Sequence, residues 1–147
     1  MIPELGFRMS DNSRQLRRLF DERVRGLGLT AAQARLLLSL ELFPGENQGF
    51  HADRLEIEPI TLTRMADRME EAGWLERRND PDDRRARILH LTSKSRDIVD
   101  RLQATVERLF EDILDGLDAT ERDTLAHLLN RIGDNLTRAR ETERVNG

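Results

Sequence analysis

The chain of 147 residues contains no cysteine, which excludes a disulfide framework, thiol-based oxidant sensing and cysteine-ligated zinc. No apolar run approaches the ~20 residues of a membrane span, and the opening MIPELGFRMSDNSRQL lacks a basic stretch followed by an apolar one. A soluble, cytoplasmic protein is expected. Histidine is sparse, and His51, His90 and His127 have no neighbour at metal-ligand spacing, so they are expected to be surface or half-buried imidazoles rather than ligands or catalysts. A glycine-rich phosphate loop, a nucleophile elbow and an HExxH pair are all missing. The carboxylates are many, but most stand three or four residues from arginines, as on solvated helix faces. Neither an enzyme nor a cofactor is expected.

What is present is charge, unevenly spread. Lys+Arg 24 against Asp+Glu 28 makes the whole chain acidic, with net charge -4. Yet Arg77 to Arg96 holds seven basic residues against three acidic, whereas residues 97 to 147 hold seven basic against twelve acidic. An anion-binding face on an acidic body has this signature. The length suits one compact domain with a real core.

Helical periodicity dominates. Leu16, Leu19, Phe20, Val24 and Leu27 share one face of a first helix ending near Gly26 and Gly28. Thr30 with Gln33 makes a capping-box pattern ahead of Leu36, Leu37, Leu38 and Leu40, an apolar run that predicts a buried helix. Pro44, Gly45, Asn47 and Gly49 read as a loop, and His51 to Glu56 as a short helix anchored by Ala52 and Leu55. Pro59 suits the first turn of the next helix, whose inner face is Leu62, Met65, Ala66 and Met69 and whose terminator is Gly73. WLERR and RARILHL then read as two strands of a hairpin. A long helix follows, capped by Thr92 or Ser93 and striped by Ile98, Leu102, Val106, Leu109, Phe110, Ile113 and Leu117. Asp118 with Glu121 caps a last one, lined by Leu125, Leu128, Leu129, Ile132 and Leu136.

Two short helices joined by a tight turn, the second turning Thr61, Thr63, Arg64, Asp67 and Arg68 away from its apolar face, satisfy the needs of a helix-turn-helix. Arginine pairs bidentately with guanine, and threonine meets a base edge or a phosphate. The hairpin tip, RNDPDDRRAR, would then lie against the neighbouring minor groove, whose negative potential favours guanidinium groups. In that tip Asp80 and Pro81 make the turn. Asp82 and Asp83 are near enough to hold or screen the arginine side chains.

These segments, LTAAQARLLLSL and ADRLEIEPITLTRMADRMEEAGWLERRNDPDDRRARILHLT, resemble the winged helix-turn-helix core of the MarR family of transcription regulators, and within it the SlyA-like branch. DRR followed by a short strand ending in LT is the most diagnostic part, and the helix order is similar over nearly the whole chain. The resemblance implies a mostly α fold with a small β-hairpin wing, residues 29–92 forming the DNA-binding region and 1–28 with 93–147 a helical dimerisation region. It puts Thr61, Thr63, Arg64 and Arg68 on the DNA-facing side of the recognition helix and Arg84 and Arg85 at the wing tip, with Arg87 in support. It also implies a homodimer, and release from DNA by a small aromatic or phenolic ligand, with Phe20 and Leu36 as the candidate lining. Ser95 stands where the family usually has glycine. Trp74, the only tryptophan, replaces a small aliphatic residue and is read as a cover for the base of the recognition helix.

The dimer also follows from the residues themselves. The last two helices carry more apolar stripe than a winged core of about 60 residues buries, which marks an interface or a packing against the first helix. A twofold dimer spaces two recognition helices by about 34 Å and so requires a pseudo-palindromic operator in double-stranded DNA. The rival reading is a winged-helix protein-interaction module without DNA binding, which overall acidity favours and arginines on both helix and wing disfavour.

Overall fold

The Thr30 hydroxyl accepts the amide of Gln33 at 3.1 Å and the Gln33 side chain accepts the amide of Thr30 at 3.1 Å, so the expected capping box is formed. It starts α2 (Ala31–Leu42), in which Ala34, Leu36, Leu37, Ser39 and Leu40 are buried. The structure, a computed structural model, describes residues 1–147 as two compact units, Met1–Leu109 and Phe110–Gly147. No helix is long and apolar enough to cross a membrane.

In the first unit the core gathers Val24, Leu36, Leu62, Met69, Leu89 and Leu102 around α2. Helix α1 (Ile2–Arg25) starts well before the expected Leu16. Its first two turns have no buried side chain, so no inward stripe betrays them; Pro3 is tolerated in a first turn, and only Gly6 weakens the helix before Gly26. Helix α3 (Gln48–Leu55) likewise begins three residues before the expected His51. Asn47, read as loop, is its N-cap: the side-chain oxygen accepts the Phe50 amide at 2.9 Å.

Helix α4 (Pro59–Glu71) buries Leu62, Met65, Ala66 and Met69, the expected inner face. Gly73, at φ +82, reverses the chain, and the amide of Trp74 reaches back to the Met69 carbonyl at 3.0 Å. That pair of features is a Schellman ending, which a side chain with a Cβ resists. Strands β1 (Leu75–Asn79) and β2 (Arg87–Leu91) pair antiparallel, Leu75 opposite Leu91 and Asn79 opposite Arg87. Asn47 bridges to Ile88, and the Leu89 amide donates to the Glu46 carbonyl at 3.3 Å, fastening the hairpin to the start of α3.

A 3-10 turn, Ser93–Ser95, precedes α5 (Arg96–Ile113). The expected cap differs here: neither Thr92 nor Ser93 caps α5 through its side chain, because the Thr92 hydroxyl donates to the Gly73 carbonyl instead. Ser95 is buried, with its hydroxyl on the Thr92 carbonyl at 2.7 Å. In the second unit the Asp118–Glu121 capping box forms and starts α6 (Ala119–Asn146), which has no buried residue.

His51 departs from the expected surface or half-buried imidazole. It is wholly buried, its Nδ1 is 2.7 Å from the Ser39 hydroxyl oxygen, and its Nε2 has no partner. A protonated ring would bury a second N–H without an acceptor. Burial, then the charge of Arg54, lowers its pKa from the usual 6.5. The unfolded chain therefore takes up the proton first, so stability is intact above pH 6.5 and declines as pH falls toward the folded value. His51→Gln is expected to flatten the loss between pH ~6.5 and ~5, by up to ~1.4 kcal/mol per pH unit. Urea midpoints across that range check it; identical slopes in both proteins would refute it.

Candidate nucleic-acid interface

On α4 the 3.6-residue period that buries Leu62, Met65 and Met69 leaves Thr61, Arg64 and Arg68 exposed, with Thr63 half-buried. The Thr63 hydroxyl donates to the Pro59 carbonyl at 3.0 Å, so its lone pairs face outward while its proton is used within the helix. At the other edge Arg84, Arg85 and Arg87 are exposed at and beside the hairpin tip. Arg64, Arg68, Arg84 and Arg85 use no side-chain nitrogen in a hydrogen bond or ion pair within the chain.

Their freedom has a cause in the carboxylates around them. Asp67 lies one helical turn from Arg64, close enough to pair with it. Instead it pairs with Arg77 at 2.6 Å, and Glu70 takes the same guanidinium at 3.0 Å and the Arg77 amide at 2.9 Å. The guanidinium first, and the amide next, hold the Glu70 carboxyl below its usual pKa of 4.5. At the tip, Asp80 accepts the amide of Asp82 at 2.9 Å and Asp83 accepts that of Arg85 at 3.0 Å. These are Asx turns, which shape the backbone. The expectation that Asp82 and Asp83 hold the arginine side chains is thus corrected: Asp83 binds Arg85 by its amide, and neither carboxylate forms an ion pair with a guanidinium.

Sequence reasoning counted Arg77 with the basic cluster and missed its role. The usable signal was Asp67 and Glu70, one turn apart, followed by a cation just beyond the helix terminator. Also missed was a cleft of about 280 Å³ between α3, α4 and the wing, lined by Gln48, Pro59, Thr63, Asp83, Arg85 and Arg87. It brings Thr63 together with Arg85 and Arg87, although 22 and 24 positions separate them in the chain.

The MarR family model matches residues 29–86. A transcriptional repressor, CouR, solved bound to a 23-mer DNA duplex, is 32% identical; the match covers 88% of this chain and 92% of that one, with a TM-score of 0.72. The chain belongs to the MarR family. A cysteine-to-serine variant of MarR from E. coli complexed with operator DNA is 30% identical, over 89% of this chain and 94% of that one, with a TM-score of 0.71. A MarR transcriptional regulator from Methanosarcina mazei Go1, 21% identical, covers 93% of this chain and 99% of its own with a TM-score of 0.80, a likeness that bears on the fold alone.

This MarR-family protein is therefore a transcription regulator and not an enzyme. Its mostly helical fold with a two-stranded wing matches the family. The two residues considered for a ligand lie in different surroundings. Leu36 is 0% exposed in the core, whereas Phe20 is half-buried with the Arg35 guanidinium 6.0 Å from its ring centre. Within the interface, Arg77→Met is expected to destabilise the protein by about 1 kcal/mol, a modest value because both carboxylates remain partly in water. An unchanged urea midpoint would show that the clamp contributes nothing to folding.

Proposed function

We propose that the protein is a homodimeric repressor that binds a pseudo-palindromic operator and leaves it when a small aromatic or phenolic ligand binds. Residues 29–92 form the DNA-binding region; 1–28 and 93–147 form the dimerisation region. Thr61, Thr63, Arg64 and Arg68 engage the major groove. Arg84 and Arg85, with Arg87 in support, engage the minor groove or its flanking phosphates. Such a role implies the cytoplasm.

One observation carries this reading: the carboxylates nearest the four free arginines are all engaged elsewhere. Asp67 and Glu70 are held by Arg77, and Asp80 and Asp83 by backbone amides. A surface arranged only for solubility would let these charges pair. Leaving the cations unpaired on both helix and wing suits a polyanion that supplies the missing charge. The solved complexes of CouR with a 23-mer duplex and of E. coli MarR with operator DNA support the same mode.

The dimer is supported by α6, where Leu125, Leu128, Leu129, Ile132 and Leu136 recur at three- and four-residue steps and are 36% to 58% exposed. An amphipathic stripe of this length left in water marks an interface. The effector rests on the family resemblance, and Phe20 suits its lining better than Leu36, which has no free surface.

Selection of duplexes from a random pool tests the proposal. Half-sites related by a twofold axis and spaced about one helical turn apart are expected. Recovery of no preferred sequence would overturn the proposal and favour a protein-interaction module.

A further inference from the structure

The end of α4 is unusual in how its carbonyls are satisfied. Past the last helical hydrogen bonds, a helix leaves carbonyl oxygens that water ordinarily takes. Here three consecutive ones are taken by a single turn of the chain. Lys94 Nζ donates to the Ala72 carbonyl at 2.8 Å, the Thr92 hydroxyl donates to that of Gly73 at 2.5 Å, and the Thr92 amide donates to that of Trp74 at 3.3 Å. Lys94 is the only lysine in the chain, every other cationic side chain of the 24 being arginine. Its stem crosses the open face of Gly73, where an added Cβ would lie 2.9 Å from Lys94 Cδ. A compact ammonium on a slender stem fits that approach, whereas the planar guanidinium fork is bulkier.

The same turn opens directly into α5, whose first residue, Arg96, pairs with Glu41 of α2 at 3.0 Å and with Asp100 at 2.9 Å. The start of α5 is therefore fixed both to the end of α4 and to the core helix behind it. We propose that the Thr92–Lys94 turn is the joint through which α5 sets the orientation of α4, with Lys94 and Thr92 as positioning residues for operator binding. Neither side chain has to touch DNA for this. The inference rests on α4 being the DNA-reading helix, the proposal made above.

Two kinds of measurement test it. Without DNA, amide hydrogen exchange at Gly73 and Trp74 is expected to speed up about tenfold in Lys94→Met and in Thr92→Val, with α2 unaffected and Thr92→Ser close to wild type. On the duplex selected by the wild-type protein, both substitutions are expected to weaken binding about five- to tenfold at an unchanged salt slope, again with Thr92→Ser restored. Unchanged exchange would overturn the joint, and faster exchange with unchanged affinity would overturn its role in positioning. If instead only Lys94→Met weakened binding and the salt slope fell by ~0.9, Lys94 would be a phosphate contact. That result too would overturn the proposal. If the wild type selects no duplex, the operator reading fails, and the exchange experiment still decides whether the joint exists.

Discussion

Alanine at both Arg84 and Arg85 is expected to lower operator affinity about a hundredfold or more while leaving the fold and the dimer intact. Each guanidinium is exposed and free of internal partners, so its removal orphans no buried group and disturbs no packing. The loss falls on the complex alone. A groove or phosphate contact of this kind is worth ~1–3 kcal/mol, and ~1.4 kcal/mol is tenfold, so two contacts give roughly two orders of magnitude. The single variants separate the roles: a phosphate contact lowers the salt slope by about 0.9 and weakens all sequences alike, whereas a groove contact changes sequence preference. Equilibrium titration by fluorescence anisotropy on the selected duplex gives both numbers. Wild-type affinity in the double variant would make the wing arginines ordinary solvated charges.

The second large effect is expected from Leu129→Asp combined with Leu136→Asp. These side chains are 55% and 58% exposed on α6, so within the monomer a polar replacement costs little. In a twofold interface each substitution acts twice. Removing a buried leucine forfeits ~1.5–3 kcal/mol, and burying a carboxylate adds a desolvation cost, so dissociation should be complete at micromolar concentration. Loss of the dimer separates the two half-site contacts, and operator affinity falls by two orders of magnitude or more because the second contact is no longer intramolecular. Sedimentation equilibrium with circular dichroism checks it. A dimeric variant, or a wild type that is already monomeric, would place the interface elsewhere or abolish it.

The parts of this architecture that could be read from sequence are those specified locally. Both capping boxes, Pro59 in a first turn, Gly73 in the left-handed region and the buried face of α4 depend on residues within a few positions of one another, and each appears as expected. The misreadings arise where a residue's partner is distant in the chain. Asn47 and Gly49 looked like loop until the Asn47 side chain was seen to cap α3 and its backbone to bridge to Ile88. Thr92 looked like a cap, but its hydroxyl goes to Gly73, 19 residues away. His51 looked like a surface imidazole because nothing in its neighbourhood names Ser39 as its mate.

The candidate interface shows the same division. Helical period put Thr61, Arg64 and Arg68 together on one side of α4, and the wing arginines were evident from their clustering. Which cations are free was not legible, since it depends on Asp67 and Glu70 turning toward Arg77 across the α4–β1 junction. Composition counted seven basic residues between Arg77 and Arg96 as equivalent. The structure separates them: Arg77, Arg78, Lys94 and Arg96 have internal partners, and Arg84 and Arg85 do not.

The central claim is that free arginines on α4 and on the wing tip form one surface for DNA. A salt titration of the wild-type dimer on its selected duplex tests it most directly. The account predicts a straight fall of log affinity with log salt, with a slope of at least about −4 for four neutralised phosphates or their groove equivalents in one half-site, and roughly double for two. Binding that is indifferent to salt would contradict it.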